Sequence, residues 1–282
     1  MARPATLVIS SSHLDLFCDY VFKTFGINVE DRQRRIFEIK LTSLMQTEGI
    51  TDASEYYHLI AAPPICPNQK RIQSVFVDTV TVHKTSFFRE MHHFDYLRDN
   101  MGKIIQESRN LRTRGELRVW SAGASTGQEP YSLAMLFGEI LPSNMRAKIL
   151  ATDISSQSLQ TAINGVYKIA NDDYFPPTYL QKYFTLKDGR YVISDRVKEF
   201  VTFRLFNLMD PFPFKAPFDI IFCRNVAIYF NRDIQEVLAS KFYDNLGANG
   251  LLFIGHSESL AQIKHDFEYT APTIYKKVSN DK

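Results

Sequence analysis

Apolar residues recur along this chain with two different spacings, and the change between them divides the chain into two parts. Leu14, Phe17 and Val21 recur at helical spacing, and a second helical pattern begins near Asp31. From Trp120 onward, short apolar runs alternate with helical patterns. Such alternation is typical of a parallel sheet with helices on both faces. We therefore predict an all-α N-terminal domain followed by a doubly wound, Rossmann-like α/β domain.

The α/β part carries one interruption, which we interpret as an insert. Its predicted strands span 117–122, 148–152, 218–223 and 250–255, and its predicted helices span 128–140, 155–164 and 231–246. Asp188-Gly189 lies between two runs of strand formers, which is a strong hairpin signal, and a further alternating run follows at 201–205. We predict a small antiparallel β insert at about residues 166–206. The predicted domains are residues 1–75, a linker and lead-in helix over 76–116, and the α/β domain over 117–282.

The composition excludes several classes of protein. The 282 residues include 33 basic and 31 acidic side chains, a net charge of +2, which is far from the strongly basic balance of a dedicated nucleic-acid binder. The three cysteines are far apart and fit neither a disulfide framework nor a zinc site, and the histidines lack metal-ligand spacing. No segment approaches about 18 consecutive apolar residues. We therefore expect a cytoplasmic protein with reduced thiols, without a metal and without insertion into the membrane.

The most informative segment runs from Val119 to Ser132 and predicts a buried strand, a glycine turn and the start of a helix. The turn matches neither a phosphate-binding P-loop nor G-x-G-x-x-G. Glu129 lies where it would repel a phosphate and attract a cation, and Asp153 follows the next strand, where it could bind a ribose diol. One acid for an amine and one for a ribose suggest S-adenosylmethionine. The structural alternatives are a helix N-cap for Asp153 and helix-dipole compensation for Glu129.

Two further segments could carry chemistry. The strand 218–223 ends at Arg224-Asn225, on the sheet edge where ligands bind, so Asn225 could contact the methionine part of the cofactor. Tyr229 could project toward the transferred methyl group, although a core aromatic is the alternative. Between the two parts of the chain, Thr85-Ser-Phe-Phe-Arg89 predicts a hydrophobic anchor with a solvated arginine.

A local cluster of positive charge lies on the second predicted helix. It consists of Arg32, Arg34, Arg35 and Lys40. A solvated helix face and a docking surface for an acidic helix are both compatible with this pattern.

In their order along the chain, these segments resemble the chemotaxis receptor glutamate methyltransferases, the CheR family. The resemblance rests on Thr85–Glu90, Ser121–Ser132, Ala151–Asp153, Phe222–Val226 with Tyr229-Phe230, and Gly255–Ser259. It implies a methyltransferase that uses S-adenosylmethionine, releases S-adenosylhomocysteine and esterifies glutamates on receptor signalling helices in chemotaxis adaptation. The positions that match cofactor contacts are Thr85, Arg89, Glu129, Asp153, Asn207, Leu208, Arg224 and Asn225, and His83 occupies a further cofactor-contact position. Arg89 and Tyr229 match positions proposed to act in methyl transfer.

Two features differ from the family pattern. His83 stands where such sequences often have Asn, and the loop Lys187–Arg190 is shorter than the loop of members that capture a receptor C-terminal pentapeptide. We therefore expect an enzyme that acts on cytoplasmic helices of transmembrane chemoreceptors without that tether. We also expect a monomer. The competing classes are a nucleic-acid methyltransferase and a non-catalytic cofactor-binding module. Cys223-Arg-Asn-Val226 lacks the Asp/Asn-Pro-Pro-Tyr/Phe pattern of the first, and Arg89 and Tyr229 argue against the second.

Overall fold

The computed structural model describes residues 9–81, 83–169, 173–176 and 178–278. They form two compact units. The helical unit comprises the described residues up to Thr81 together with Tyr229–Asn231, and the sheet unit comprises the described residues of 83–228 and 232–278. None of the helices in these ranges is both long and apolar enough to cross a membrane.

The helical unit is built from four helices around an aromatic core. They are α1 (Ser11–Phe25), α2 (Asp31–Thr47), α3 (Ala53–Ala61) and α4 (Pro67–Val80). Helix α1 ends where Gly26 adopts a left-handed conformation and donates its N–H to the Phe22 carbonyl. Phe17 of α1 is fully buried, with ring centroids 6.1 Å from Tyr56 and 6.4 Å from Phe76. Aromatic contacts of this kind join α1, α3 and α4 into one core.

The sheet unit contains the remaining elements. Its first half comprises α5 (His92–Glu107), α6 (Arg109–Arg114), β1 (Glu116–Ala122), α7 (Gln128–Ile140), β2 (Arg146–Asp153), α8 (Ser156–Asn164), β3 (Val166–Tyr167) and α9 (Tyr179–Tyr183). The chain continues with β4 (Phe184–Lys187), β5 (Arg190–Ile193), α10 (Asp195–Lys198), β6 (Val201–Leu205), β7 (Phe218–Cys223), a 3₁₀ helix (Ala227–Tyr229), α11 (Arg232–Asn245), β8 (Leu246–Ile254), β9 (Glu268–Ala271) and β10 (Ile274–Lys276). The residues of the 3₁₀ helix before Tyr229 belong to this unit.

The main sheet has the predicted doubly wound arrangement. Within the described residues its strand order is β6-β2-β1-β7-β8-β10-β9, with β6, β2, β1, β7 and β8 parallel and β10 antiparallel to β8. Every residue of β7 is buried, as expected for a parallel strand covered on both faces. The chain runs outward from β1 to β6 and then returns to β7, so the strand order reverses between β1 and β7. Ligands of open α/β sheets bind at such a switch point.

The insert is smaller than predicted. Strands β3, β5 and β4 form an antiparallel sheet, and the hairpin turn has positive φ at both Asp188 (47°) and Gly189 (71°), the geometry of a type I′ turn. The run Val201–Leu205, predicted as part of the antiparallel insert, instead pairs in parallel with β2 as an edge strand of the main sheet. Alternating burial describes any edge strand, whichever direction its partner runs, so the local pattern could not predict this pairing.

Gly127 provides a test of the backbone geometry at the start of α7. It has a φ of 96°, and a Cβ there would lie 2.7 Å from Ala162 Cβ and 2.9 Å from Tyr167 Oη. We expect Gly127→Ala to destabilise the sheet unit by about 2–5 kcal/mol, because left-handed strain and overpacking add. Gly189→Ala, at a φ of 71° but with no atom within 4 Å, isolates the strain and should lose about 1–2 kcal/mol. Equal losses in urea unfolding would contradict the close approach.

Candidate functional site

The carboxyl edge of the main sheet gathers most of the predicted site residues of the sheet unit. The segments that follow five adjacent parallel strands meet there: Gly123–Gly127 after β1, Asp153 at the end of β2, Phe206–Asp210 after β6, Arg224–Ile228 after β7, and Gly255–Glu258 after β8. Polar side chains and backbone N–H groups therefore converge beside the switch point.

The glycine turn after β1 is held against its neighbours by close backbone contacts. The N–H groups of Gly123 and Ala124 donate to the Thr152 carbonyl at 2.8 and 2.9 Å. Gly123 has a φ of 86°, and a Cβ on it would lie 2.4 Å from Val226 Cγ2. Only glycine fits where the loop after β7 approaches this turn so closely.

Asp153 organises the turns on both sides of it. Its Oδ2 accepts the Ser125 N–H at 2.7 Å and its Oδ1 accepts the Ser155 N–H at 2.9 Å. The N-cap of α8 is Ser155, whose hydroxyl accepts the Ser158 N–H, so the N-cap alternative for Asp153 is wrong. Burial raises the pKa of Asp153, and the hydrogen bonds from Ser155 and Ser125 oppose that rise. With backbone hydrogen bonds from Ser125, Ile154 and Ser155, the carboxylate still has acceptor capacity for a ligand hydroxyl.

Arg224 lies at the centre of a buried charge cluster. Only 2% of its side chain is exposed, and it lies 3.1 Å from the Glu90 carboxylate through Nη2 and 3.2 Å from the Glu129 carboxylate through Nη1. Nη2 also donates to the Arg89 carbonyl. Glu129 accepts a further hydrogen bond from the Ser121 hydroxyl at 2.7 Å. Two carboxylates around one guanidinium leave the cluster with a net negative charge when both are ionised.

The electrostatics of the two carboxylates differ. Burial raises the pKa of Glu129, although Arg224 and the Ser121 hydroxyl act in the opposite direction. Burial would also raise the pKa of Glu90, but Arg224 and hydrogen bonds from His256 outweigh it and lower the pKa to about 2. The His256 ring donates from Nδ1 to Glu90 at 2.7 Å. The cluster therefore keeps Glu90 charged, while Glu129 is the carboxylate that gains most from a cationic ligand.

Glu90→Gln should lower stability in a pH-dependent manner. A pKa lowered from 4.5 to about 2 stabilises the folded state above pH 4.5, by about 3 kcal/mol, and that stabilisation disappears as pH falls toward 2. We expect the variant to be less stable at pH 7 and the difference from wild type to shrink below pH 4.5. The fluorescence of Trp120, the only tryptophan, reports urea unfolding of the sheet unit. Glu268→Gln on the exposed strand β9 is the control, and a difference that does not change with pH would contradict the assignment.

The segment Thr85–Arg89 anchors one wall of the site, as the Phe pair predicted. Phe87 and Phe88 are buried, and Phe87 packs edge-on against Tyr167 and Phe184 at centroid distances of 5.0 and 5.4 Å. Arg89 is half-buried and donates from Nη1 to the Lys84 carbonyl at 3.0 Å. Thr85 is also half-buried.

His83 and the loop after β6 complete the predicted cofactor positions. The His83 carbonyl accepts the Ser125 hydroxyl at 3.3 Å, which brings this segment to the glycine turn. Asn207 is half-buried and Leu208 is buried. The Lys241 ammonium holds their loop by donating to the Leu208, Met209 and Asp210 carbonyls at 3.2, 3.1 and 3.0 Å.

Glu258 and Glu90 are structural members of the site that sequence reasoning did not single out. Glu258 accepts the Asn225 N–H at 2.9 Å, and burial raises the pKa of Glu258 against the effect of its backbone hydrogen bonds. Asn225 has a φ of 59° and its amide lies 3.4 Å from Glu90. Both glutamates belong to segments that support the family resemblance, and Glu258 follows a strand end and a glycine, which was the available signal.

The other predicted residues lie in the helical unit. Tyr229 is half-buried, and its carbonyl accepts the Asn28 N–H at 3.0 Å. Phe222, an aromatic residue of the same segment, is instead buried in the sheet unit, where its ring stacks on Phe253. Arg34 pairs with Asp15, and Lys40 donates to the Thr79 carbonyl at 2.9 Å. These two cations therefore stabilise the unit itself.

The exposed part of the Arg patch is narrower than the charge pattern indicates. Arg32 and Arg35 are exposed, and Arg32 lies 2.7 Å from the neighbouring Glu30 carboxylate. Ile36 and Ile39, which are 60% and 61% exposed, occupy the same helix.

The Glu90 carboxylate and two neighbouring imidazoles form a group of the kind that can bind a metal ion. Glu90, His92 and His93 each place a possible ligand atom within 4.8 Å of the others. Glu90 is already paired with Arg224, and burial lowers the pKa of His93 to about 3, with Arg224 adding to the effect. Both Glu90 oxygens are already engaged, by Arg224 at 3.1 Å and by the His256 ring at 2.7 Å, so we attribute these contacts to the Arg224 cluster.

The residues at this edge fit S-adenosylmethionine. When both of its carboxylates are ionised, the buried cluster is negative and favours a sulfonium and an ammonium, and Asp153 has acceptor capacity for a ribose hydroxyl. Arg224 Nε is buried with no hydrogen-bond partner among the described residues. A doubly wound sheet with these features at its switch point defines an S-adenosylmethionine-dependent methyltransferase.

Comparison with known proteins gives the family. Residues 83–276 match the CheR methyltransferase, SAM binding domain. The chain is 37% identical over 279 residues to a chemotaxis protein methyltransferase of Borreliella burgdorferi, covering 95% of each chain. It is 34% identical over 283 residues to a chemotaxis protein methyltransferase of Salmonella typhimurium, covering 98% of this chain and 93% of that one. The chain therefore belongs to the CheR methyltransferase family, which confirms the resemblance and S-adenosylmethionine as the cofactor.

Proposed function

We propose that this enzyme transfers a methyl group from S-adenosylmethionine to glutamate side chains on the cytoplasmic helices of chemoreceptors. The buried Glu90–Arg224–Glu129 cluster is the observation that carries the donor half of this proposal, because its net charge suits a cationic methyl donor. The relatives named chemotaxis protein methyltransferases support the acceptor half.

We assign roles to the site residues as part of the same proposal. Glu129 receives the cationic part of the donor, Asp153 receives the ribose, and Arg224 contacts the cofactor beside Glu129. His83, Thr85, Asn207, Leu208 and Asn225 complete the cofactor contacts. Arg89 and Tyr229 position the acceptor carboxylate and the donor for transfer.

The chemistry requires placement more than acid–base catalysis. A glutamate has a reference pKa of about 4.3, so the acceptor is already an ionised nucleophile at pH 7. When bound, S-adenosylmethionine supplies a methyl group activated by its positive sulfur. Transfer to a carboxylate neutralises both charges, so a site that excludes water favours the transition state. The protein's contribution is to align attacking oxygen and methyl carbon, an effect that can reach about 7–11 kcal/mol in well-oriented systems.

The test is transfer of labelled methyl to receptor-containing membranes from the same source. Carboxyl methyl esters release labelled methanol in alkali, so alkali-volatile label is the expected result. If S-adenosylhomocysteine binds but no such label appears, the acceptor assignment fails. Alkali-stable label would indicate a different acceptor atom.

We also propose that the enzyme works without a receptor pentapeptide tether. The hairpin from β4 to β5 turns through only Asp188 and Gly189, which leaves no extended loop at this place. A receptor C-terminal pentapeptide should show no heat of binding in calorimetry. Micromolar affinity for that peptide would overturn this proposal.

The docking of the acceptor should depend on the exposed cations of α2. Because Arg34 and Lys40 are engaged within the helical unit, we expect Arg32→Glu and Arg35→Glu together to raise the acceptor KM about tenfold. The wild-type rate should also fall with salt, and the variant's rate should fall less. Lys70→Glu on the exposed surface of α4 is the matched control. A KM that does not respond to the charge reversal would favour the solvated-face interpretation.

A further inference from the structure

The Glu258 carboxylate joins the loops that follow two neighbouring strands. Its Oε2 accepts the Gly255 N–H at 2.5 Å, on its own side, and the Asn225 N–H at 2.9 Å, after β7. Its Oε1 accepts the Ile228 N–H at 3.3 Å. Hydrogen bonds from N–H groups to a buried carboxylate are stronger than those between neutral groups. One side chain therefore fixes both ends of the segment Asn225–Ile228.

That segment receives little support from packing on one side. A cavity of about 260 Å³ lies against Ala227 and Ile228 and is bounded by α11 residues such as Leu238. A cavity supplies no van der Waals contacts to the residues that line it. Asn225 also has a left-handed φ of 59°, a conformation that non-glycine residues keep only when their surroundings enforce it. The hydrogen bonds to Glu258 provide that enforcement.

Gly255 also lies very close to Asn225 and Glu258, which supports the view that Glu258 holds the loop after β7. A Cβ on Gly255 would lie 2.6 Å from Asn225 Nδ2 and 2.9 Å from Glu258 Oε2. A glycine at position 255 therefore allows the turn after β8 to place Glu258 in contact with the loop after β7.

We infer that Glu258 is a positioning residue for methyl transfer: it holds Asn225 on the donor side and Ile228, the residue before Tyr229, on the acceptor side. This inference rests on the proposed function, since it takes the roles of Asn225 and Tyr229 from there. Glu258 itself touches neither reactant and acts through the backbone of the loop.

The variant Glu258→Gln distinguishes the support that Glu258 gives to Asn225 from the support that it gives to Ile228. A carboxamide has one acceptor oxygen and one donor NH₂ group. If the oxygen takes the Oε2 position, the bonds from Gly255 and Asn225 remain, and the NH₂ group then opposes the Ile228 N–H. The acceptor side of the loop is therefore released while the donor side is kept. Glu258→Ala releases both sides.

The experiment compares three variants by methyl transfer and by calorimetry with S-adenosylhomocysteine. For Glu258→Gln we expect kcat to fall about tenfold while the Kd for S-adenosylhomocysteine stays within about twofold. Glu258→Ala should weaken both. The matched control is Glu236→Gln, because Glu236 also accepts a backbone N–H, from Lys264 at 3.1 Å, but in a different loop. It should behave as wild type.

Amide hydrogen exchange provides a readout that needs no acceptor. The Ile228 amide should exchange faster in Glu258→Gln than in wild type and in Glu236→Gln. A wild-type kcat in Glu258→Gln, or an Ile228 amide that stays protected in it, would overturn the inference. If wild type and Glu236→Gln release no labelled methanol, the proposed acceptor fails instead, and the exchange rates and the Kd then decide the role of Glu258.

Discussion

Arg224→Met should lower the melting temperature of the sheet unit strongly and should abolish cofactor binding. The methionine leaves Glu90 and Glu129 facing each other, buried, without their shared guanidinium. Breaking a buried ion pair by removing one partner costs about 3–5 kcal/mol. For a unit of this size we expect Tm to fall by about 6–20 °C, measured by differential scanning calorimetry.

Two comparisons make this result specific to the cluster. Arg98→Met removes an ion pair on the surface of α5, where Arg98 lies 2.5 Å from Asp95 and both side chains are exposed, so it should cost less than about 1 kcal/mol. The double variant Arg224→Met/Glu90→Gln should be less destabilised than the sum of its parts, because one of the unpaired charges is gone. Additive losses, or a wild-type Tm for Arg224→Met, would refute the coupling.

Arg89→Ala should reduce turnover strongly and leave the fold intact. Arg89 is half-buried, and its side chain donates to the Lys84 carbonyl, which is a surface-type contact, so its removal should shift Tm by only about 2 °C. Its proposed role is to align the donor and the acceptor carboxylate. Misplacement of about 1 Å can cost about 100-fold in rate, so we expect kcat to fall by at least that factor in the labelled-methyl assay.

The controls for Arg89 distinguish charge from shape. Arg89→Lys keeps a positive charge but loses the planar guanidinium, and it should restore only part of the rate if the two-pronged geometry matters. Arg112→Ala, on the exposed surface of α6, should have wild-type turnover. Normal turnover of Arg89→Ala would remove Arg89 from the site.

The sequence was sufficient to predict the doubly wound sheet because its central strands carry their own signal. β7 is an apolar run interrupted only by Asp219, β1 carries Leu117, Val119, Trp120 and Ala122, and each strand leads into a polar turn and a helix. The pairing of Val201–Leu205 was predicted wrongly because pairing is a property of two strands that are distant in the chain. The carboxyl edge could be predicted for the same reason as the sheet: polar residues such as Asp153 and Asn225 stand where the apolar runs end.

The interior of the candidate site was harder to predict. Arg224, Asn225 and Glu129 come from segments that motifs indicate, but Glu90 and Glu258 act through partners that are 135 and 33 residues away from them. No local pattern states that an arginine at the end of one strand will be enclosed by a carboxylate from a segment that precedes the sheet. The roles assigned to Arg89 and Tyr229 come from the resemblance, and they remain proposals that turnover measurements must test.

The small β3–β5–β4 sheet also has an evolutionary consequence. Its base is fixed, because Tyr167 and Phe184 pack against Phe87, so substitutions there would disturb the wall of the candidate site. Its tip has open space around it: a Cβ added at Gly189 would meet no atom within 4 Å. Insertions at the tip could thus accumulate, be selected and be lost again while the register of the main sheet stays unchanged.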